Sequence, residues 1–282
     1  MATPTPLAEA ISKIASRLRA AGIVSFEAES EILLADFLSI SRGELNALAL
    51  TGEERDLSEF EDLVRRRESR EPLQHITGKA PFRSIELQVG PGVFIPRFET
   101  ELVTQVAIDF LRTLPKPGTA VDVGTGSGAI AISLALETSA SVVAIEQSAE
   151  ACEFARRNIA ALAPEVELIH GDFADTLPSL EDVDLVISNP PYIPSGAVPL
   201  DPEVRDFDPE AALYSGEDGL NAIRELAVMA QIPLRSGGLL VIEHADTQSD
   251  EVSELLLSEG WRAVSVHPDN TGRLRAVSAW RK

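Results

Sequence analysis

The chain has 282 residues and a mass of 30.3 kDa, with 24 basic against 45 acidic side chains and a formal charge of -21. That length holds one large domain or an ordinary domain plus a smaller one, and 44% hydrophobic with 24% charged residues excludes a disordered chain. The single cysteine, Cys152, excludes an internal disulfide, and the acidic balance weighs against an enzyme that tracks duplex nucleic acid. Near the N-terminus, Lys13, Arg17 and Arg19 interrupt the apolar positions, so no secretory signal is expected. The longest near-apolar run, 129–136, is far short of the roughly 20 residues that cross a bilayer. A cytoplasmic protein without a membrane segment is the expectation.

From Leu7 to about Arg70 the apolar residues fall at helical spacing. Leu7, Ile11, Ile14 and Leu18 form one stripe, followed by Ile32, Leu33 and Phe37, then by Leu57, Phe60 and Leu63. Gly22 and Gly43 punctuate these stretches, and Ser25 marks a helix start. The run Arg65, Arg66, Arg67 reads as a solvated helix face. These features predict a small helical domain over residues 1–72, with short runs between glycines and prolines over 73–93 forming a linking hairpin.

Beyond residue 94 the pattern alternates. Strand-like runs at 120–123, 141–145, 166–169, 184–188, 239–243, 263–267 and 274–280 are separated mostly by helical segments such as 130–136, 149–162 and 220–232. The alternation predicts an α/β domain over 94–282, with a doubly wound, seven-stranded, mostly parallel sheet. The last two strands have only residues 268–273 between them, too few for a crossover helix, so they must pair antiparallel.

Two motifs carry chemistry. In the first, the strand Val121-Asp122-Val123 enters the turn Gly124-Thr125-Gly126-Ser127-Gly128 and opens a helix at Ala129. Glycines permit close backbone approach, and a helix N-terminus supplies unpaired N–H groups. Glu146, 20 residues beyond Gly126, stands where an acidic side chain would hold a ribose. The pair Asp172-Phe173 after the third strand can flank an adenine, although an Asp in that place also serves as a turn or helix cap. These residues point to an adenosine-type cofactor and do not separate NAD from S-adenosylmethionine.

The second motif is Asn189-Pro190-Pro191-Tyr192, at the end of an apolar strand. Two successive prolines carry no N–H, so the backbone there presents only carbonyl acceptors, to which Asn189 adds a side-chain oxygen and Tyr192 a ring. Such a cradle can receive both hydrogens of a planar –NH2 group and aim its nitrogen at an electrophilic methyl. An amide nitrogen becomes very acidic once methylated, so positioning suffices and no dedicated base is required. Hydride transfer has no use for this site, which makes NAD the lesser reading.

With these residues in hand, the sequence resembles the class I, Rossmann-like S-adenosylmethionine-dependent methyltransferases of the release-factor glutamine methyltransferase (PrmC/HemK) family. The similarity covers nearly the whole chain. Its marks include Glu71-Pro72, His75-Ile76-Thr77-Gly78, Phe94-Ile95-Pro96-Arg97-Phe98-Glu99-Thr100-Glu101, both motifs above, and Asp218-Gly219-Leu220. The resemblance implies methyl transfer to the glutamine amide of the Gly-Gly-Gln motif in class I peptide chain release factors. Carried over, Gly124, Thr125, Gly126, Ser127 and Gly128 lie against the methionine part of S-adenosylmethionine, Glu146 takes the ribose diol, and Asp172 with Phe173 flanks the adenine. Asn189, which also borders the cofactor, and the Pro190 carbonyl hold the glutamine amide, with Pro191 and Tyr192 completing the site and Phe94 and Arg97 shaping the pocket. The resemblance further implies a monomer, a helical domain that recognises the substrate, no bound metal and no direct nucleic-acid binding.

Two features depart from the family pattern: Phe98 where a second proline is usual, and Asp208 where Glu is usual before Pro209. Arg273 and Arg275 read as surface charges on the final hairpin. The alternatives are a DNA or RNA amino-methyltransferase sharing the tetrapeptide, and a non-catalytic binding module. The acidic charge and the absence of a basic, aromatic stretch in the helical domain argue against the first, and the intact motifs against the second.

Overall fold

Leu7, Ala10, Ile14 and Leu18 recur every three or four residues, and in the computed structural model, which describes residues 4–282, they line the buried face of α1 (Leu7–Ala20). A short strand, β1 (Thr5–Pro6), precedes this helix and pairs antiparallel with β2 (Glu54–Arg55). Around α1 pack α2 (Phe26–Phe37), α3 (Arg42–Leu50), α4 (Phe60–Glu68) and α5 (Leu73–Thr77), closing over Leu33, Leu34, Leu45, Phe60 and Val64. Helix α2 does begin after Ser25, but the Ser25 hydroxyl bonds Glu29 Oε1 and makes no side-chain cap. Among the described residues, no helix is long and apolar enough to cross a membrane.

The three successive arginines do not share one solvated face. Each helical residue turns by about 100°, so Arg65 and Arg66 point outward while Arg67 joins Phe60 and Val64 on the buried side. The Arg67 side chain is 2% exposed; Nε donates to Glu29 Oε2 at 2.6 Å and Nη2 to Glu203 Oε1 at 2.6 Å. Its Nη1 donates to the Glu71 carbonyl at 3.0 Å. A buried guanidinium is tolerable only when its donors are matched in this way. Glu203 belongs to α10 (Pro202–Phe207), so a stretch distant in sequence completes the helical unit, which comprises the chain up to Lys79 together with Pro199–Phe207.

The second unit comprises Ala80–Val198 and Asp208–Lys282. Strand β3 (Lys79–Phe82) and β4 (Ile85–Gln88) form a two-stranded sheet, ahead of α6 (Phe98–Thr113). Then β5 (Thr119–Val123), α7 (Ala129–Glu137), β6 (Ser141–Glu146), α8 (Ala149–Leu162) and β7 (Glu167–His170) alternate. Next come α9 (Phe173–Thr176), β8 (Val183–Ser188), α11 (Asn221–Met229), β9 (Leu234–Glu243), α12 (Ser249–Ser258), β10 (Arg262–Pro268) and β11 (Leu274–Trp280). The sheet has seven strands in the order β10-β11-β9-β8-β5-β6-β7. All neighbours from β9 to β7 run parallel, and β11 pairs antiparallel with both β9 and β10, as the short final connection requires.

Strand residues alternate between two apolar layers, as period-2 geometry dictates. Ala120, Leu185, Ile187, Leu239 and Val241 face one layer with residues of α6, α7 and α8. Val121, Val123, Val186, Leu240 and Ile242 face the other, with residues of α11 and α12. Both faces being covered, the strands read as near-continuous hydrophobic runs. Strand order reverses at β5, whose neighbours are β6 on one side and β8 on the other. A crevice opens at the carboxyl ends of strands at such a switch point, and both sequence motifs lie there.

Candidate active site

The glycine loop leaves β5 with Gly124, Gly126 and Gly128 all at positive φ, the left-handed region that glycine enters without steric cost. A Cβ added to Gly124 or Gly126 would meet nothing within 4 Å, so the loop presents open space to a ligand. Gly124 N and Thr125 N donate to the Ile145 carbonyl at 2.9 and 3.0 Å, tying the loop to β6. Thr125 and Ser127 are buried, and the Ser127 carbonyl accepts from Asn158 Nδ2 at 2.8 Å.

Beneath the loop, Asp122 is fully buried, and its Oδ2 accepts from Thr125 Oγ1 at 2.6 Å and from Ala131 N at 3.0 Å. It thereby satisfies an N–H at the start of α7 from the strand below. Burial pushes its carboxyl up to about 7, aided by the charge of Glu146, while the two hydrogen bonds act the other way. The folded state therefore holds a proton that the unfolded chain releases, and this contribution to stability fades as pH rises through the folded value. Ligand-free protein should be more stable near pH 5.5 than near pH 8, and Asp122→Asn should remove about 2 kcal/mol of that difference in denaturant titrations at the two pH values. An unchanged difference would show that Asp122 stays ionised throughout.

Glu146 ends β6 and is 7% exposed. Its two oxygens accept from Gly126 N and Ser148 N, each at 2.8 Å, so the carboxylate is aimed along the loop. Glu146 pairs with His170 across β6 and β7, which brings Asp172 to the neighbouring strand end. Asp172 caps α9, its Oδ1 accepting from Ala174 N at 2.9 Å, and Phe173 is half-buried against the apolar layer that contains Ile145. Loop, carboxylate and Asp172-Phe173 thus lie at the ends of three adjacent strands.

On the other side of β5, Val123 pairs with Ser188, so Gly124 and Asn189 leave the sheet side by side. Asn189 Nδ2 donates to Thr100 Oγ1 at 3.1 Å. Pro190 is buried, Pro191 and Tyr192 are half-buried, and the Tyr192 carbonyl accepts from Gln248 Nε2 at 3.0 Å. The Tyr192 hydroxyl donates to Glu243 Oε1 at 3.4 Å. Burial first, and then the charge of Glu243, raise that hydroxyl well above its ordinary range, so it remains protonated.

A cleft of about 200 Å³ opens here, lined by Arg97, Glu99, Tyr192, Glu243 and Arg275. Arg97 is ion-paired with Asp208 and stacks over the Phe94 ring at 4.7 Å. Asp208, a departure from the family pattern, therefore acts on the pocket through Arg97. Arg275 is not a surface charge: its side chain is 15% exposed and lines the cleft, because Ala276 pairs with Glu243 and sets Arg275 beside that strand end. Arg273 is exposed as expected. Sequence reasoning did not single out Thr100, Glu243 or Gln248. The available signal was positional: Glu243 ends a buried strand that neighbours the one Asn189 follows, and an ionisable residue is unusual there.

The family description "PrmC N-terminal domain" matches residues 9–78, and "Methyltransferase small domain" matches residues 85–201. A release factor glutamine methyltransferase of Streptomyces coelicolor is 47% identical over 95% of this chain and 96% of its own length. Proteins of the same name from Mycolicibacterium smegmatis and Bifidobacterium longum are 43% and 41% identical, over 98% and 97% of this chain and 98% and 99% of theirs. Among solved structures, a 16S rRNA methyltransferase of T. thermophilus, in complex with AdoMet and guanosine, superposes with a TM-score of 0.53 at 20% identity. That match covers 72% of this chain and 50% of the other. A ribosomal-protein methylase of Lactobacillus delbrueckii subsp. bulgaricus gives 0.50 at 20% identity, over 70% and 85%. These structural likenesses establish the fold, whereas the near-full-length identities settle kinship: the chain belongs to the release factor glutamine methyltransferase family.

Proposed function

We propose that this chain transfers the methyl group of S-adenosylmethionine to the side-chain amide nitrogen of the glutamine in the Gly-Gly-Gln motif of class I peptide chain release factors. The observation that carries the reading is the pairing of Val123 with Ser188, which sets the ligand-facing glycine loop directly beside the acceptor cradle that begins at Asn189. The residues present fit the cofactor. Gly124 and Gly126 leave room over their backbone, and Glu146, already aligned by two loop amides, keeps lone pairs for a ribose diol. Asp172 and Phe173, next along the strand ends, flank the adenine, and Thr125, Ser127 and Gly128 shape the loop that faces the methionine part. When bound, S-adenosylmethionine supplies an electrophilic methyl group on a sulfonium.

The chain's own residues do the positioning. With its Nδ2 donated to Thr100, Asn189 presents Oδ1 to one N–H of the substrate amide. The Pro190 carbonyl takes the other N–H, and Pro191 adds no competing backbone donor. Tyr192 packs beside the amide plane. Fixed in this way, the nitrogen meets the methyl group with its lone pair aimed, and both hydrogen bonds strengthen as positive charge develops on nitrogen. The methylated amide is acidic enough to lose its proton to water. The helical unit supplies the surface that recognises the release factor. The enzyme works as a monomer in the cytoplasm, where release factors act, without binding nucleic acid directly.

Incubation with labelled S-adenosylmethionine should label a purified release factor and neither DNA nor tRNA, with one methyl group located on a single glutamine by mass spectrometry. Label on nucleic acid alone would overturn the assignment. Glu146→Ala should weaken S-adenosylmethionine binding by about 1–3 kcal/mol in calorimetry, the range for hydrogen bonds involving a charged group. Unchanged affinity would mean that the ribose is held elsewhere.

A further inference from the structure

A side-chain amide has one accepting and one donating end, and the two are nearly equal in shape. If Asn189 turned its NH2 toward the substrate amide, donors would face donors and the cradle would fail, so something must hold the flip. Thr100, in the first turn of α6, accepts the Asn189 NH2 at 3.1 Å. A threonine hydroxyl can donate as well as accept, so this contact holds the flip only if the Thr100 hydrogen is committed elsewhere. Glu243 is the group in reach. It ends β9, whose Ile242 pairs with the Ser188 that precedes Asn189, so the two side chains leave adjacent strand ends. Its carboxyl is 1% exposed; Oε1 accepts from the Tyr192 hydroxyl, while the buried Oε2 makes no hydrogen bond and is left open to the hydrogen of Thr100, whose hydroxyl favours the ionised carboxyl.

We propose that Thr100 and Glu243 are positioning residues that fix the orientation of Asn189: Glu243 accepts the Thr100 hydrogen, which leaves the Thr100 oxygen able only to accept, so Asn189 must turn its oxygen to the substrate. The proposal rests on the assignment of Asn189 to the substrate amide. The same carboxyl accepts from the Tyr192 hydroxyl, so one buried group orients both side chains of the cradle.

The device works only while Glu243 is ionised, since a protonated carboxyl can itself donate to Thr100 and release the hydroxyl to turn. Burial pushes Glu243 up to about 7; the Thr100 hydroxyl and the charge of Arg275 favour ionisation, and Glu99 opposes it. Arg97, also lining the cleft, has its charge engaged by Asp208. Turnover should therefore fall as pH drops through about 7.

Thr100→Val keeps the shape and removes the hydroxyl. It should lower kcat roughly 10- to 100-fold while S-adenosylmethionine affinity stays within about two-fold, and Thr100→Ser should restore most of the loss. In an Asn189→Ala background, Thr100→Val should cost nothing further, whereas a purely structural role would add its full effect. Glu243→Gln should slow turnover and abolish the acidic limb near neutral pH; it carries the same test if the valine variant does not fold. Independently of activity, the Asn189 side-chain amide proton resonances should shift in Thr100→Val and in Glu243→Gln. If the wild type fails to label a release factor, the substrate assignment fails and these resonances still decide the orientation. Unshifted resonances, a kcat within two-fold of wild type, or additive losses with Asn189→Ala would each overturn the proposal.

Discussion

Asn189→Ala is expected to slow methyl transfer roughly 100-fold or more, the loss seen when one transition-state hydrogen-bonding group is deleted from a preorganised site. On the binding mode proposed above, the substitution removes the Oδ1 acceptor and leaves the Pro190 carbonyl alone to hold the substrate nitrogen. Asn189 is half-buried and bonds one neighbouring side chain, Thr100, so the change should cost little stability, and the effect belongs in kcat. Single-turnover transfer from labelled S-adenosylmethionine to a release factor would measure it. A rate near that of wild type would remove Asn189 from the chemistry and leave the cradle to the backbone alone.

Gly219→Ala is expected to cost about 3 kcal/mol or more in stability and to cripple turnover, through strain together with overpacking. Gly219 sits at φ +80°, and a Cβ there would lie 2.2 Å from the Tyr192 carbonyl oxygen and 2.9 Å from Gln248 Nε2. The first neighbour is backbone and cannot swing aside. Gln248 Nε2 also bridges the Tyr192 and Asp218 carbonyls at 3.0 and 3.2 Å, so relief would require moving the tetrapeptide itself. A displacement of about 1 Å at a positioning site is worth roughly 100-fold in rate. Denaturant midpoints and kcat together check this; wild-type values for both would mean that the loop after Asp218 shifts freely.

Much of this architecture was legible from residue pattern alone. Apolar runs alternating with helical stretches identified the sheet, and the short 268–273 connection required the antiparallel ending that β10 and β11 adopt. Strand ends agreed within a residue or two except for β9, which starts at Leu234 rather than 239 because Arg235-Ser236-Gly237-Gly238 carries no hydrophobic alternation. The Arg65-Arg66-Arg67 run misled because composition does not report rotation: a step of two residues moves Arg67 to the opposite side of the helix from Arg65, where Glu29 and Glu203 meet it. Arg275 misled for a related reason, since strand pairing with β9 decides which residues of β11 stand beside Glu243.

The sequence by itself determined the local chemistry: a glycine turn after a strand, an acidic residue one strand further on, and a tetrapeptide whose two prolines offer only carbonyl acceptors, each written in contiguous residues whose backbone limits are intrinsic. Tertiary structure alone decided what orients them. Thr100 reaches Asn189 across 89 positions, and Glu243 meets Tyr192 across 51, because helix packing and strand order bring distant residues to one rim of the sheet. Such partnerships depend on register and burial, which no short stretch of residues encodes.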